Sequence, residues 1–126
     1  MAKIGQLVRR SDGKVLLTHV RWCSAFICKL RGLMFRRTLT EGEGLLLVEG
    51  RASRVGAAIH MLFMAFPIAV FWLDEGFHVV DKACARPWRP LYVPSKPARY
   101  TLEAAPDLLE QVEIGDVLVF EANEES

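Results

Sequence analysis

The chain has 126 residues, of which 52% are hydrophobic and 25% charged, the balance of an ordinary globular domain. That composition excludes a disordered or fibrous protein, and a chain of this length buries roughly two-thirds of its unfolded surface, enough to fold without staples. The net charge of +1 hides an asymmetry: residues 1–60 carry eleven Lys/Arg against four Asp/Glu, whereas residues 101–126 carry eight acids and no base.

Two ends of opposite sign that lie side by side and neutralise each other account for this pattern without a nucleic-acid partner. No internal repeat or long linker divides the chain, so a single domain over 1–126 is expected. The first eight residues lack the apolar core and small-residue cleavage site of a signal peptide. A cytoplasmic domain of bacterial type is therefore expected. Cys23, Cys28 and Cys84 form neither a C-x-x-C pair nor an even framework, and are expected as separate buried thiols in a reducing compartment.

Taken in order, Lys3 to Val8 and Lys14 to Val20 are apolar-rich runs around Ser11-Asp12-Gly13, a hairpin signal because Asp-Gly favours the tight turn. Cys23 to Met34 places Phe26, Ile27, Leu30, Leu33 and Met34 at helical spacing, which predicts one short amphipathic helix ending near Gly32. Leu45 to Val48 reads as a short buried strand and Gly50 to Gly56 as a polar loop. Val55 to Leu73 contains no charged residue and is long enough to span a bilayer, but Pro67 interrupts it among β-branched and aromatic residues. It reads instead as two central strands, Ala57 to Met64 and Ile68 to Leu73, apolar on both faces. Asp74-Glu75-Gly76 turns into a strand from Phe77 to Ala83, and the three prolines between Arg86 and Lys96 make that stretch irregular. Arg99 to Ala104 alternates as a strand, Pro106 to Gln111 makes one helical turn, and Val117 to Ala122 is the last strand. Short strands at turn-punctuated intervals predict an all-β domain with one or two short helices, a small β-sandwich-like fold or partly open barrel.

From about Arg31 to Phe120 the punctuation resembles the family called domain of unknown function 192 (DUF 192). Gly32-Leu33-Met34-Phe35-Arg36 matches its Gly-Leu-Met-x-Arg opening, and Glu43-Gly44-Leu45-Leu46 its Gly-apolar step. Ile59-His60-Met61-Leu62-Phe63-Met64 with Pro67-Ile68-Ala69-Val70 resembles its central signature, and Phe71-Trp72-Leu73-Asp74 its Phe-Leu-Asp turn. Arg86-Pro87-Trp88-Arg89, Leu102-Glu103 and Ile114-Gly115-Asp116 complete the series. The resemblance implies a small β-sandwich-like fold and no settled activity. Two departures stand out: Ala69 where the family has Asp, and Ala104-Ala105-Pro106-Asp107 where it has Gly. Period-two alternation puts residue 69 on the side of Phe71 and Leu73, so the missing acid removes the best candidate for a general acid or base.

No sequence pattern assigns a catalytic residue. A Cys–His pair from Cys28 or Cys84 with His60 or His78 has nothing in sequence to bring it together, and no Gly-x-Ser-x-Gly elbow or phosphate loop is present. His19, His60 and His78 do not sit at ligand spacing, so no metal is expected, and no motif calls for a cofactor. Arg9-Arg10, Arg36-Arg37, Arg51, Arg54, Arg86 and Arg89 would serve a nucleic-acid binder, but a pI near 7.8 disfavours it. A ligand cleft built from Arg36, His60, Trp88, Arg89 and Glu103 is the remaining candidate, with an Arg36–Glu103 ion pair as its structural alternative. The leading expectation is a non-catalytic binding or interaction module for an unknown small molecule or protein. The alternative is a small enzyme with a cleft around Arg36, His60 and Glu103.

Overall fold

The computed structural model describes residues 3–25, 28–29, 33, 38–61 and 64–123. Seven strands form one sheet: β1 (Lys3–Arg9), β2 (Val15–Cys23), β3 (Glu43–Ser53), β4 (Ile68–Leu73), β5 (Val79–Ala85), β6 (Ala98–Ala104) and β7 (Leu118–Ala122). A 3-10 turn, Pro106–Glu110, precedes β7. The spatial order is β5-β4-β6-β3-β2-β1-β7, antiparallel throughout except for the parallel β2–β3 pair.

The expected hairpin forms. Gly13 adopts φ 72, the backbone N–H of Lys14 donates to Asp12, and Arg9 pairs with Asp12 at 3.0 Å. A positive φ at this corner is where glycine costs least. β4 is the central strand that the apolar run predicts: all six of its residues are buried. They alternate strictly between two cores. Ala69, Phe71 and Leu73 join Leu46, Leu102 and Leu118 on the inner face, while Ile68, Val70 and Trp72 join Leu45, Leu47 and Met61 on the outer. A half-turn of side-chain direction per residue is the geometry of any strand, and only a strand covered on both sides needs it apolar in both directions.

The sheet curls until its two edges touch at one end. The N–H of Val79 donates to the Asp116 carbonyl at 2.9 Å, and the N–H of Leu118 donates to the Phe77 carbonyl at 3.0 Å. A bridge joins His78 to Val117 between them. Beyond Leu118 the edges separate, so the fold is a partly open barrel. β1 and the acidic C-terminal stretch are neighbours, the adjacency expected of the two ends: Arg9 also reaches Asp116 at 4.0 Å, and Gln6 donates to Glu121 at 2.6 Å.

Four expectations are corrected. Residues 57–61 are not a strand, apart from a single bridge between Ile59 and Tyr92. The Ala57 carbonyl that a ladder would use instead accepts from Trp72 Nε1 at 2.8 Å and Thr101 Oγ1 at 3.3 Å. The segment therefore lies across the outer face as a cover, supplying Ala57, Ile59, Met61 and Met64 to that core. The expected polar loop from Gly50 is largely strand, since β3 runs on past a bulge to pair Ser53 with Ala98. Cys23 ends β2 rather than opening a helix. Cys28 and Lys29 are helical, and the remainder of the expected helix lies mostly outside the described residues. Cys23 and Cys28 are joined by a disulfide, correcting the reading of three separate thiols; strand end and first helical turn stand 5.8 Å apart at Cα, within bridging reach. Cys84 is free and exposed.

Ala69 is fully buried in the inner core. Placing a carboxylate there by Ala69→Asp is expected to lower the unfolding free energy by roughly 3 kcal/mol or more, read from urea denaturation. An unchanged midpoint would mean that a partner for the acid already exists inside the barrel.

Candidate functional site

Three of the five residues singled out in the sequence are brought together. The Met61 carbonyl accepts from the Trp88 N–H at 2.7 Å, and the Met61 N–H donates to the Arg89 carbonyl at 3.0 Å. Ile59 and Tyr92 exchange two more backbone bonds, at 2.9 and 2.8 Å. These bonds clamp residues 59–61 to residues 88–92, so His60, Trp88 and Arg89 share one end of the molecule. Ile59 and Met61 are buried in the outer core and His60 between them is only partly covered. Trp88 adopts φ 66, uncommon for a bulky side chain, and the Arg89 guanidinium lies 4.8 Å from the centre of the Tyr92 ring.

Glu103 is elsewhere. It sits in β6 opposite Leu45 of β3 and Val70 of β4, on the outer face, and is 6% exposed. Its carboxyl has no hydrogen bond or ion pair to another described residue. Burial disfavours the charged form and pushes its pKa up to about 7. Arg36, its expected partner, lies outside the described residues. Glu103 and Ala69 belong to opposite faces of the sheet, so the family's Asp position and this acid do not converge on one site.

A second feature escaped the sequence reading. Between β7 and the turn after β4, where the barrel edges part, a cleft of about 530 Å³ opens. Trp22, Phe77 and Phe120 supply its aromatic surface, Val119 adds an aliphatic one, and Lys3, Arg10 and Glu75 are its charged residues. Trp22 packs against Phe120 with ring centres 5.2 Å apart, and Phe77 against Tyr100 at 4.3 Å. The Lys3 ammonium stands 4.4 Å over the Trp22 ring. Such a volume falls within the range of small-molecule pockets. No sequence signal marks it, because Trp22, Phe77 and Phe120 are scattered along the chain and meet only through the β2-β1-β7 order and the contact of Phe77 with Leu118 where the sheet edges touch. Among the described residues no three His, Cys, Asp or Glu side chains gather as a metal cage, and no helix is long and apolar enough to cross a membrane.

The fold defines a class: small, partly open, all-β domains. The chain belongs to the DUF192 family, described as "Uncharacterized ACR, COG1430", which it matches over residues 7–120. It is 36% identical over 120 residues to a UPF0127 protein of Thermococcus gammatolerans, covering 94% of this chain and 76% of that one. It is 38% identical over 110 residues to a UPF0127 protein of Pyrococcus furiosus, covering 86% and 91%. These relatives are archaeal and lend no support to the expected bacterial origin. Among solved structures, a protein described only as a candidate transcription regulator from Sinorhizobium meliloti 1021 superposes with a TM-score of 0.80 at 22% identity, over 95% of this chain and 94% of that one. A protein of unknown function from Novosphingobium aromaticivorans DSM 12444 does so at 0.76 and 17%, over 94% and 84%. At these identities the likeness is one of fold.

Glu103 has a measurable consequence. A carboxyl with a folded pKa of about 7 against 4.5 for the free group keeps its proton in the fold after the unfolded chain has released it. Stability therefore falls as pH rises from 4.5 to about 7, by about 3 kcal/mol in all, and is level beyond. Glu103→Gln is expected to remove this slope and to be the more stable protein at pH 8, with the gap closing at pH 4. Parallel pH profiles for the two proteins would show that Glu103 is ionised in the fold.

Proposed function

We propose that this protein is a non-catalytic binding module whose ligand is a small organic anion with a flat apolar body, seated in the cleft beside β7. One observation carries the reading: an aromatic-walled cleft with Lys3 and Arg10 against Glu75, the one acid among its described lining residues. The aromatic walls suit an apolar body by area and by edge-to-face contact, and the two cations favour a carboxylate or sulfonate on that body. Among the described residues none of the lining side chains is a Ser, Cys or His that would supply a nucleophile, which favours holding over conversion.

The test is a titration with an anilinonaphthalene sulfonate and a series of aromatic carboxylates, followed by fluorescence and calorimetry. Micromolar binding is expected, weakened about tenfold or more by Phe120→Ala, since truncating a buried aromatic contact removes a kcal/mol or more. Lys3→Gln is expected to weaken the anions and leave an uncharged analogue unaffected. Affinity indifferent to both substitutions would sink the assignment of the cleft.

A second reading, a small enzyme, rests on Glu103 alone. A carboxyl near neutrality is matched to general acid–base work at physiological pH. It requires turnover that Glu103→Gln abolishes while the variant stays folded. Turnover that survives this substitution would remove Glu103 from the chemistry.

A further inference from the structure

We propose that the protein docks peripherally on anionic lipid bilayers through the two adjacent segments 51–56 and 86–96. This surface is separate from the cleft beside β7 and does not depend on the reading given to it.

The apolar side chains come first. Val55 is 83% exposed, Trp88 and Leu91 are each 57% exposed, and Val93 is 40% exposed. A lone exposed apolar residue is ordinary, but four on neighbouring turns form a patch of the kind that marks an interaction surface. Their exposure is built in by the backbone. Tyr92 turns inward to bridge Ile59, so strand-like alternation sends Leu91 and Val93 outward on either side of it. The Tyr92 hydroxyl accepts from the Arg86 N–H at 2.8 Å, closing the loop on itself, and Trp88 is anchored through its N–H to Met61. Arg54 Nε donates to the Pro94 carbonyl at 2.9 Å, which binds the turn carrying Val55 to the same surface.

Charge is the independent second observation. Residues 50–60 and 84–98 contain no acid at all. They contain Arg51, Arg54, Arg86, Arg89 and Lys96, every one of them exposed. Asp81, which reaches Ser95 from β5, is occupied by the backbone N–H groups of Ser95 and Lys82. Glu49 borders the same turn at Gly56 and is paired with Lys29 at 3.5 Å, so together with Asp81 two acids flank five cations and the surface keeps an excess of positive charge. Apolar tips among cations in excess complement a surface that is anionic above and hydrocarbon below. An interfacial bilayer is such a surface: Trp prefers the headgroup level, aliphatic side chains reach the acyl boundary, and Lys/Arg bind the anionic headgroups. A nucleic acid would engage the same cations, but gives Val55, Leu91 and Val93 nothing to bury against. The extent of aliphatic surface therefore decides for lipid.

The experiment uses the full chain and two vesicle preparations, phosphatidylcholine alone and phosphatidylcholine mixed with phosphatidylglycerol, in co-sedimentation and tryptophan fluorescence. Binding to the mixed vesicles only is expected, weakening as salt is raised, with a blue shift of emission that Trp88→Phe removes. Arg86→Gln with Arg89→Gln is expected to weaken partition about thirtyfold, the effect of two cations at an anionic surface. Val55→Ser with Leu91→Ser is expected to weaken it by a similar factor; both residues are exposed, and circular dichroism melts verify folding. Lys14→Gln, an exposed substitution in the turn between β1 and β2, is expected to leave partition unchanged. Absence of binding to the mixed vesicles, equal binding to both preparations, indifference to the surface variants, or displacement from the vesicles by a single-stranded oligonucleotide would each overturn the proposal.

Discussion

The fold depends on β4 being a wall shared by two cores. Six consecutive residues are buried, and each is committed by the strand's pleat to one side or the other. A one-residue slip would exchange the sets, pressing Trp72 into the space of Phe71 and orphaning its indole N–H, now bonded to the Ala57 carbonyl. Register at β4 therefore fixes the outer cover as well as the inner barrel. The 57–61 segment lies where it does because Trp72 and Thr101 hold its carbonyl. That segment in turn clamps the Trp88–Arg89 loop through Met61. A chain of constraint thus runs from a fully buried strand to an exposed apolar loop.

Much of this was legible in the sequence because it is local. Asp12-Gly13 marks its turn, Pro106 starts its helical turn, and the unbroken apolar run from Ile68 to Leu73 can be satisfied only between two layers. The misreadings share a cause of a different kind. Ala57 to Met61 is as apolar as a strand, and only the side-chain donors of Trp72 and Thr101, remote in sequence, prevent its carbonyl at Ala57 from entering a ladder. The spacing of Cys23 and Cys28 is no motif, yet the corner between a strand end and a helical start brings their Cα atoms within reach of a bond. The candidate residues divide in the same way. His60, Trp88 and Arg89 meet through a local clamp, whereas Glu103 sits apart because its strand lies between β3 and β4 in the sheet. The aromatic cleft had no signature, since its three rings come from β2, a turn and β7.

Ala69 separates this chain from the pattern that its family resemblance implies. The position faces the barrel interior between Cys84 and Ala104 at backbone level, and the surrounding inner core is aliphatic and aromatic. A methyl group is at home there. The acid that the structure does bury, Glu103, lies on the opposite face and has its proton held by desolvation rather than by a neighbouring charge. Losing one carboxyl inside and keeping one outside are independent facts about two surfaces of one sheet.

The pairing of β1 with β7 bears on how the molecule is assembled. Gln6 and Glu121 are 115 positions apart, so their strands close one of the largest loops the chain can make, at the highest entropic cost of any ladder in the sheet. The β1–β2 and β4–β5 hairpins close short loops first, and the full ladder of β7 waits until β1 is in place. Before that moment β1 is an unprotected edge and Leu7 and Leu17 lack their cover. The acid-rich final stretch is then still free, carrying the charge that discourages association between partly assembled chains.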